Sequence, residues 1–84
     1  MNTLQMLIGH FNGLPIAPID AIGPFFKMKT DTLIQKIDDG TVKLPYFRLD
    51  DSQKAQRHIH LADLAGLIDM RHAEARDEFE KLWS

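Results

Sequence analysis

The first apolar positions, Leu4, Leu7, Ile8 and Phe11, follow the i, i+3, i+4, i+7 spacing of an amphipathic helix, and Asn12-Gly13 can close it in the left-handed conformation. "LPIAP" (residues 14–18) is too short and too rich in proline for a helix, and suits an edge strand or extended connector. Pro18 can open the next helix, since its missing N–H is among the groups a first turn leaves unpaired. Ile19, Ile22 and Phe25 or Phe26 would share its buried face. Gly23-Pro24 interrupts it, and an interior proline costs about 3 kcal/mol, so a short or broken element is expected. Thr30 offers a side-chain cap to a further helix over 30–39. That helix would bury Leu33, Ile34 and Ile37, expose Thr32, Gln35 and Lys36, and stop at Asp39-Gly40.

The period then changes from three-four to two. In "LPYFRL" Phe47 and Leu49 alternate with Tyr46 and Arg48, and in "HIHL" Ile59 and Leu61 alternate with His58 and His60. This predicts two strands with Phe47, Leu49, Ile59 and Leu61 turned inward, joined by the polar tip "DDSQKAQR". The tip exceeds the roughly two to five residues of a tight hairpin, so it should project, with Asp50 and Asp51 at its base. From Ala62 the spacing is helical again, through Leu64, Ala65, Ile68, His72, Ala75, Phe79 and Leu82. A helix over 62–82 would be ~30 Å long, more than a core this small covers. Its outer part needs a second surface, which makes Ile68, His72, Ala75, Phe79, Leu82 and Trp83 candidate dimerisation residues.

Composition narrows the class. A chain of 84 residues supports one modest core, and 44% apolar with 26% charged residues is the balance of a globular protein. No apolar run approaches the ~18 to 20 residues of a membrane span, and the start lacks the basic and apolar regions of an export signal. The absence of cysteine removes disulfides, thiolate nucleophiles and cysteine-based zinc sites. A cytoplasmic, membrane-free protein is expected. The net charge of −2 conceals a gradient: residues 27–57 hold seven basic and five acidic groups, residues 58–84 three basic and six acidic. The local field of the middle segment bears on binding more than the total does.

Helix, turn, helix, strand, polar tip, strand is the order of a winged helix-turn-helix. The expectation is therefore an α+β, mostly helical domain over 1–84, excisionase- or MerR-like, with a short N-terminal helix and a long C-terminal one. In such a module the second helix (here 30–39) enters the DNA major groove and the wing (here 50–58) reaches neighbouring backbone or the minor groove. The candidate contacts are Lys29, Thr30, Thr32, Gln35 and Lys36 around the helix, then Lys43, Arg48, Ser52, Gln53, Lys54, Gln56, Arg57 and His58 around the hairpin. Arginine and glutamine can read base edges, whereas lysine mostly pairs with phosphate. The plain alternative is a solvated face and a solvated loop. His58 and His60, two apart on a strand, could present two imidazoles to a metal, but such pairs are more often surface histidines, and no metal or cofactor is expected. Catalysis is not expected either: no phosphate loop or nucleophile motif is present, and Asp38-Asp39 and Asp50-Asp51 sit where aspartate bonds local backbone.

The stretch "LPYFRLDDSQKAQRHIHLADLAGLIDMRHAEARDE" resembles the pyocin activator family, small transcriptional activators of phage-tail-like bacteriocin genes and prophage regions. The cues are LP, then FRL, the polar SQK tip, a strand ending HL, and a DLAGLID helix rich in alanine and arginine. Looser similarity runs upstream through "LPIAPID" and "LIQKIDDG". The resemblance implies a sequence-specific DNA-binding regulator in the bacterial cytoplasm, on the nucleoid. Arg48, Ser52, Gln53, Lys54 and Arg57 then match the family's wing, and Gln35 and Lys36 its second helix. The expected partners are promoter or operator duplex, a second copy or higher homo-oligomer, and RNA polymerase. Two other readings stand beside it: an excisionase-like DNA-bending protein, and an adaptor that binds a repressor or RNA polymerase without touching DNA. The negative net charge and acidic final helix favour the adaptor.

Overall fold

A reciprocal cap starts α1 (Thr3–His10): the Asn2 side chain accepts the Gln5 N–H at 2.8 Å, and the Gln5 side chain accepts the Asn2 N–H at 3.0 Å. The structure, a computed structural model, describes residues 2–52 and 54–83. The expectation placed on Gln53 therefore lies outside the described residues. After α1 come β1 (Ile16–Pro18), α2 (Ile19–Phe26), α3 (Thr30–Asp38), β2 (Phe47–Arg48), β3 (Arg57–His60) and α4 (Leu61–Trp83).

The three strands form an antiparallel sheet in the order β1-β3-β2. The "LPIAP" segment is thus an edge strand, where the missing N–H of Pro18 leaves no broken ladder inside the sheet. Ala17 pairs with Ile59, and both are buried against Ile19, Ile22, Leu33, Leu61 and Leu64. Helices cover this face of the sheet, and α1 closes the far side against α4, where the Thr3 hydroxyl donates to the Asp69 carboxylate at 2.7 Å.

α2 is short, one of the two outcomes expected at Gly23-Pro24, and it runs unbroken through the proline. The proline removes one rung two residues before the helix ends, and the carbonyls of Gly23 and Pro24 are taken up by the N–H groups of Met28 (3.2 Å) and Lys27 (3.1 Å). Thr30 does not cap α3: Lys29 holds the N-cap position, with no side-chain bond to the helix. The inward parity of β2 is reversed, because Phe47 pairs with His58 and Arg48 with Arg57. Arg48 and Arg57 thus share the sheet face of Ile59, while Phe47 lies with His58 on the other. The anchor of this segment is Leu44, buried in the core, and Leu49 is 68% exposed.

The turn from α2 to α3 depends on Gly23. A Cβ there would stand 2.8 Å from the Met28 carbonyl oxygen, a backbone atom that cannot swing aside. Gly23→Ala is expected to cost about 1 to 3 kcal/mol, measured as a lower midpoint of thermal or urea unfolding.

α4 starts on His60, whose Nδ1 accepts the Ala62 N–H at 3.1 Å. Leu61, Leu64 and Ala65 are buried, but every residue from Ile68 to Trp83 is exposed. The helix outruns the core as its length implies, giving the molecule extents of 52 × 31 × 19 Å. Among the described residues, the ion pairs are Arg71–Glu74, Arg76–Glu80 and Asp77–Lys81, all within α4 and exposed. No helix among the described residues is long and apolar enough to cross a membrane.

Candidate nucleic-acid interface

Successive residues of α3 step ~100° around its axis, which sorts the helix into three sides. Leu33 points into the core, and Asp31, Thr32 and Gln35 form the exposed side. Thr30 and Ile34 face the hairpin, across a cleft of about 270 Å³ lined also by Asp20, Lys54, Gln56 and Arg57. Lys29 is exposed at the entry to the helix.

The tip does not stand wholly clear of the fold, as its length predicted. Its outgoing arm is a chain of local bonds: the Asp50 carboxylate accepts the Ser52 N–H at 2.7 Å, and the Ser52 hydroxyl accepts the Lys54 N–H at 3.2 Å. Its return arm leans on the helices. Ala55 is half-buried, and the Gln56 amide donates to Asp20 on α2 at 3.5 Å. Asp50 and Asp51 follow β2 after Leu49, at the base of the tip as expected.

At the mouth of the hairpin, Arg48 and Arg57 sit directly opposite each other across the ladder. Like charges at such a pair repel. Each Nε is shut off from solvent with no hydrogen-bond partner among the described residues, and an unpaired buried donor costs about 1 to 3 kcal/mol. The Arg57 guanidinium lies 5.4 Å from the centre of the Tyr46 ring, and the Tyr46 hydroxyl donates to Asp38 at 2.7 Å. Tyr46 therefore braces Arg57 against the end of α3. Sequence reasoning missed this role, although the run Leu44, Tyr46, Arg48 carries the parity that reveals it.

The remaining candidates separate. His58 is half-buried, with Nδ1 3.1 Å from the Gln56 carbonyl, while the Nδ1 of His60 serves α4. No cluster of three potential metal ligands occurs among the described residues. Lys36 and Lys43 are not beside the hairpin: they line a different groove, against α4. The charge along α3 is graded as well. Bonds from the Thr41 hydroxyl and N–H, with Lys36 nearby, hold the Asp39 carboxyl below the ordinary carboxylate range. The C-terminal end of α3 thus stays negative, while Lys54 and Arg57 line the cleft at its N-terminal half, where Asp20 and Asp31 also stand.

What this arrangement offers an anion is two arginines paired across the ladder and a lysine, beside a helix side carrying an amide, a hydroxyl and the Asp31 carboxylate, with Asp20 also in the cleft. A protein-family model described as "Pyocin activator protein PrtN" matches residues 3–75 of the chain. No curated protein and no solved structure matches it.

Proposed function

The chain belongs to the pyocin activator family, and from that premise we propose that it is a transcriptional activator of bacteriocin genes that binds promoter DNA as a winged helix-turn-helix. The order of helices and the β1-β3-β2 sheet support that architecture, with α3 as the helix for the major groove and the β2–β3 hairpin as the wing. Thr32 and Gln35 would meet base edges, joined by Asp31, whose carboxylate accepts only and so suits the cytosine amino group. Lys54, Arg48 and Arg57 would hold phosphates.

The observation that carries this reading is the Arg48–Arg57 pair. Pairing two arginines across the ladder, with both Nε donors unanswered among the described residues, adds nothing to the stability of the fold. A phosphate bound by the outer N–H groups of both guanidiniums removes the repulsion, with the short, strong bonds of an arginine–phosphate contact. The exposed outer half of α4 joins two such modules into a dimer, so that two half-sites are read together. The test is binding to duplex DNA flanking the protein's own gene. Affinity that falls steeply with salt supports the proposal, and absent or salt-indifferent binding leaves the adaptor in its place.

A further inference from the structure

A groove of about 680 Å³ runs along the first half of α4 and shares no lining residue with the cleft beside the hairpin. Its wall is apolar, with Phe25, Phe26, Val42, Leu67, Ile68 and Met70. Its rim is basic: Lys36 and Lys43 stand beside the Arg71–Glu74 ion pair. At the other end of the same helix, Phe79, Leu82 and Trp83 are 61%, 79% and 77% exposed, and the Phe79 and Trp83 rings lie 6.1 Å apart as one aromatic edge. Beside them Asp77 pairs with Lys81 and Glu80 with Arg76, which leaves Glu78 as the acid in excess. An apolar groove with a basic rim and an apolar helix end with an acidic flank are complementary in both respects.

The two cannot meet within one chain. Ile68 in the groove and Leu82 at the end are ~21 Å apart on one continuous helix. We infer that each groove receives the C-terminal end of α4 from a second copy of the chain, in an antiparallel α4 pair. Ile68, Ala75 and Leu82 recur every seventh residue and so share one helix side. With the two-fold axis at Ala75, Leu82 of each copy meets Ile68 of the other and Trp83 reaches Leu67. The small side chain at the axis lets the helices approach closely. Lys36 and Lys43 then face an acidic helix rather than phosphate. This deepens the dimer reading and rests on it, but not on the DNA contacts.

The experiment is sedimentation equilibrium of the full chain and its variants, with a cross-linking arm. The wild type is expected at twice 9.6 kDa. Leu82→Ser with Trp83→Ser should weaken self-association at least about 30-fold, with the helical circular dichroism retained because both side chains are exposed. Lys36→Glu with Lys43→Glu should act in the same direction. Adding Glu78→Lys to that same chain should move association back toward the wild type, since the charges on both sides of each reciprocal contact are then reversed. In this cysteine-free chain, Leu82→Cys should link two copies through a short bis-maleimide only when Ile68→Cys is also present. Efficient linking by Leu82→Cys alone would mean a parallel pair, and a wild-type dimer indifferent to the groove charges would mean another surface. Either result overturns the groove while leaving a dimer. A wild type that stays monomeric at every concentration overturns the dimer itself.

Discussion

Replacing Arg48 and Arg57 together by alanine is expected to weaken binding to promoter duplex at least about 100-fold, or ~2.7 kcal/mol, while folding stability stays within about 1 kcal/mol of the wild type. The two halves of that result have different causes. Bonds from a charged donor to phosphate contribute about 1.5 to 3 kcal/mol each, and both arginines lose theirs. In the free protein the same substitution relieves an opposed like-charge pair and two unanswered Nε donors. Against that stands the loss of the Arg57 contact with Tyr46, worth about 0.5 to 1 kcal/mol, and of the packing of two aliphatic stems. Affinity by fluorescence anisotropy and stability by urea unfolding, on the same preparation, check both. A double variant that binds as tightly as the wild type would remove these arginines from the interface. One that binds weakly because it is unfolded would show the pair to be structural.

Leu33→Ala carries the largest expected cost in stability. Leu33 is fully enclosed and is the buried contact of α3. Truncating such a leucine removes about 2 to 5 kcal/mol, from a chain whose whole stability, at roughly 0.05 to 0.15 kcal/mol per residue, is of order 4 to 13 kcal/mol. Calorimetry should show the melting midpoint lowered by at least about 10 °C. DNA binding should fall with it, because the exposed side of α3 is aimed by the residue that buries its opposite side. A loss below about 1 kcal/mol would mean that the core under α3 can collapse around the vacancy.

The long-period signals were legible in the chain, and the short ones were not. Ile22, Leu33 and Leu64 recur at helical spacing and are buried, and the long α4 with its exposed outer half follows directly from a stripe that continues past any available core. β2 holds only two residues, too few for alternation to fix which side faces inward, and a shift of one position turned Phe47 and Leu49 inward and Arg48 outward. The opposed arginines were hidden by that slip, since pairing of Arg48 with Arg57 depends on register and not on spacing. Pro24 left open a short or a broken element, and α2 is the short one: it ends at Phe26, too soon after the proline for the missing rung to break it. The division between Lys54 and Arg57, beside the hairpin cleft, and Lys36 and Lys43, beside α4, is a tertiary fact with no trace in the local sequence.

Binding of the wild-type chain to duplex DNA flanking its own gene, measured across a series of salt concentrations, bears most directly on the role assigned to the hairpin and α3. Each neutralised phosphate contributes about −0.9 to the slope of log K against log salt, so the two phosphates held by the arginine pairs of a dimer should alone give a slope near −2, steeper if lysines join. A flat dependence, or no binding to the duplex even at low salt, would contradict the assignment of the Arg48–Arg57 pair to the DNA backbone.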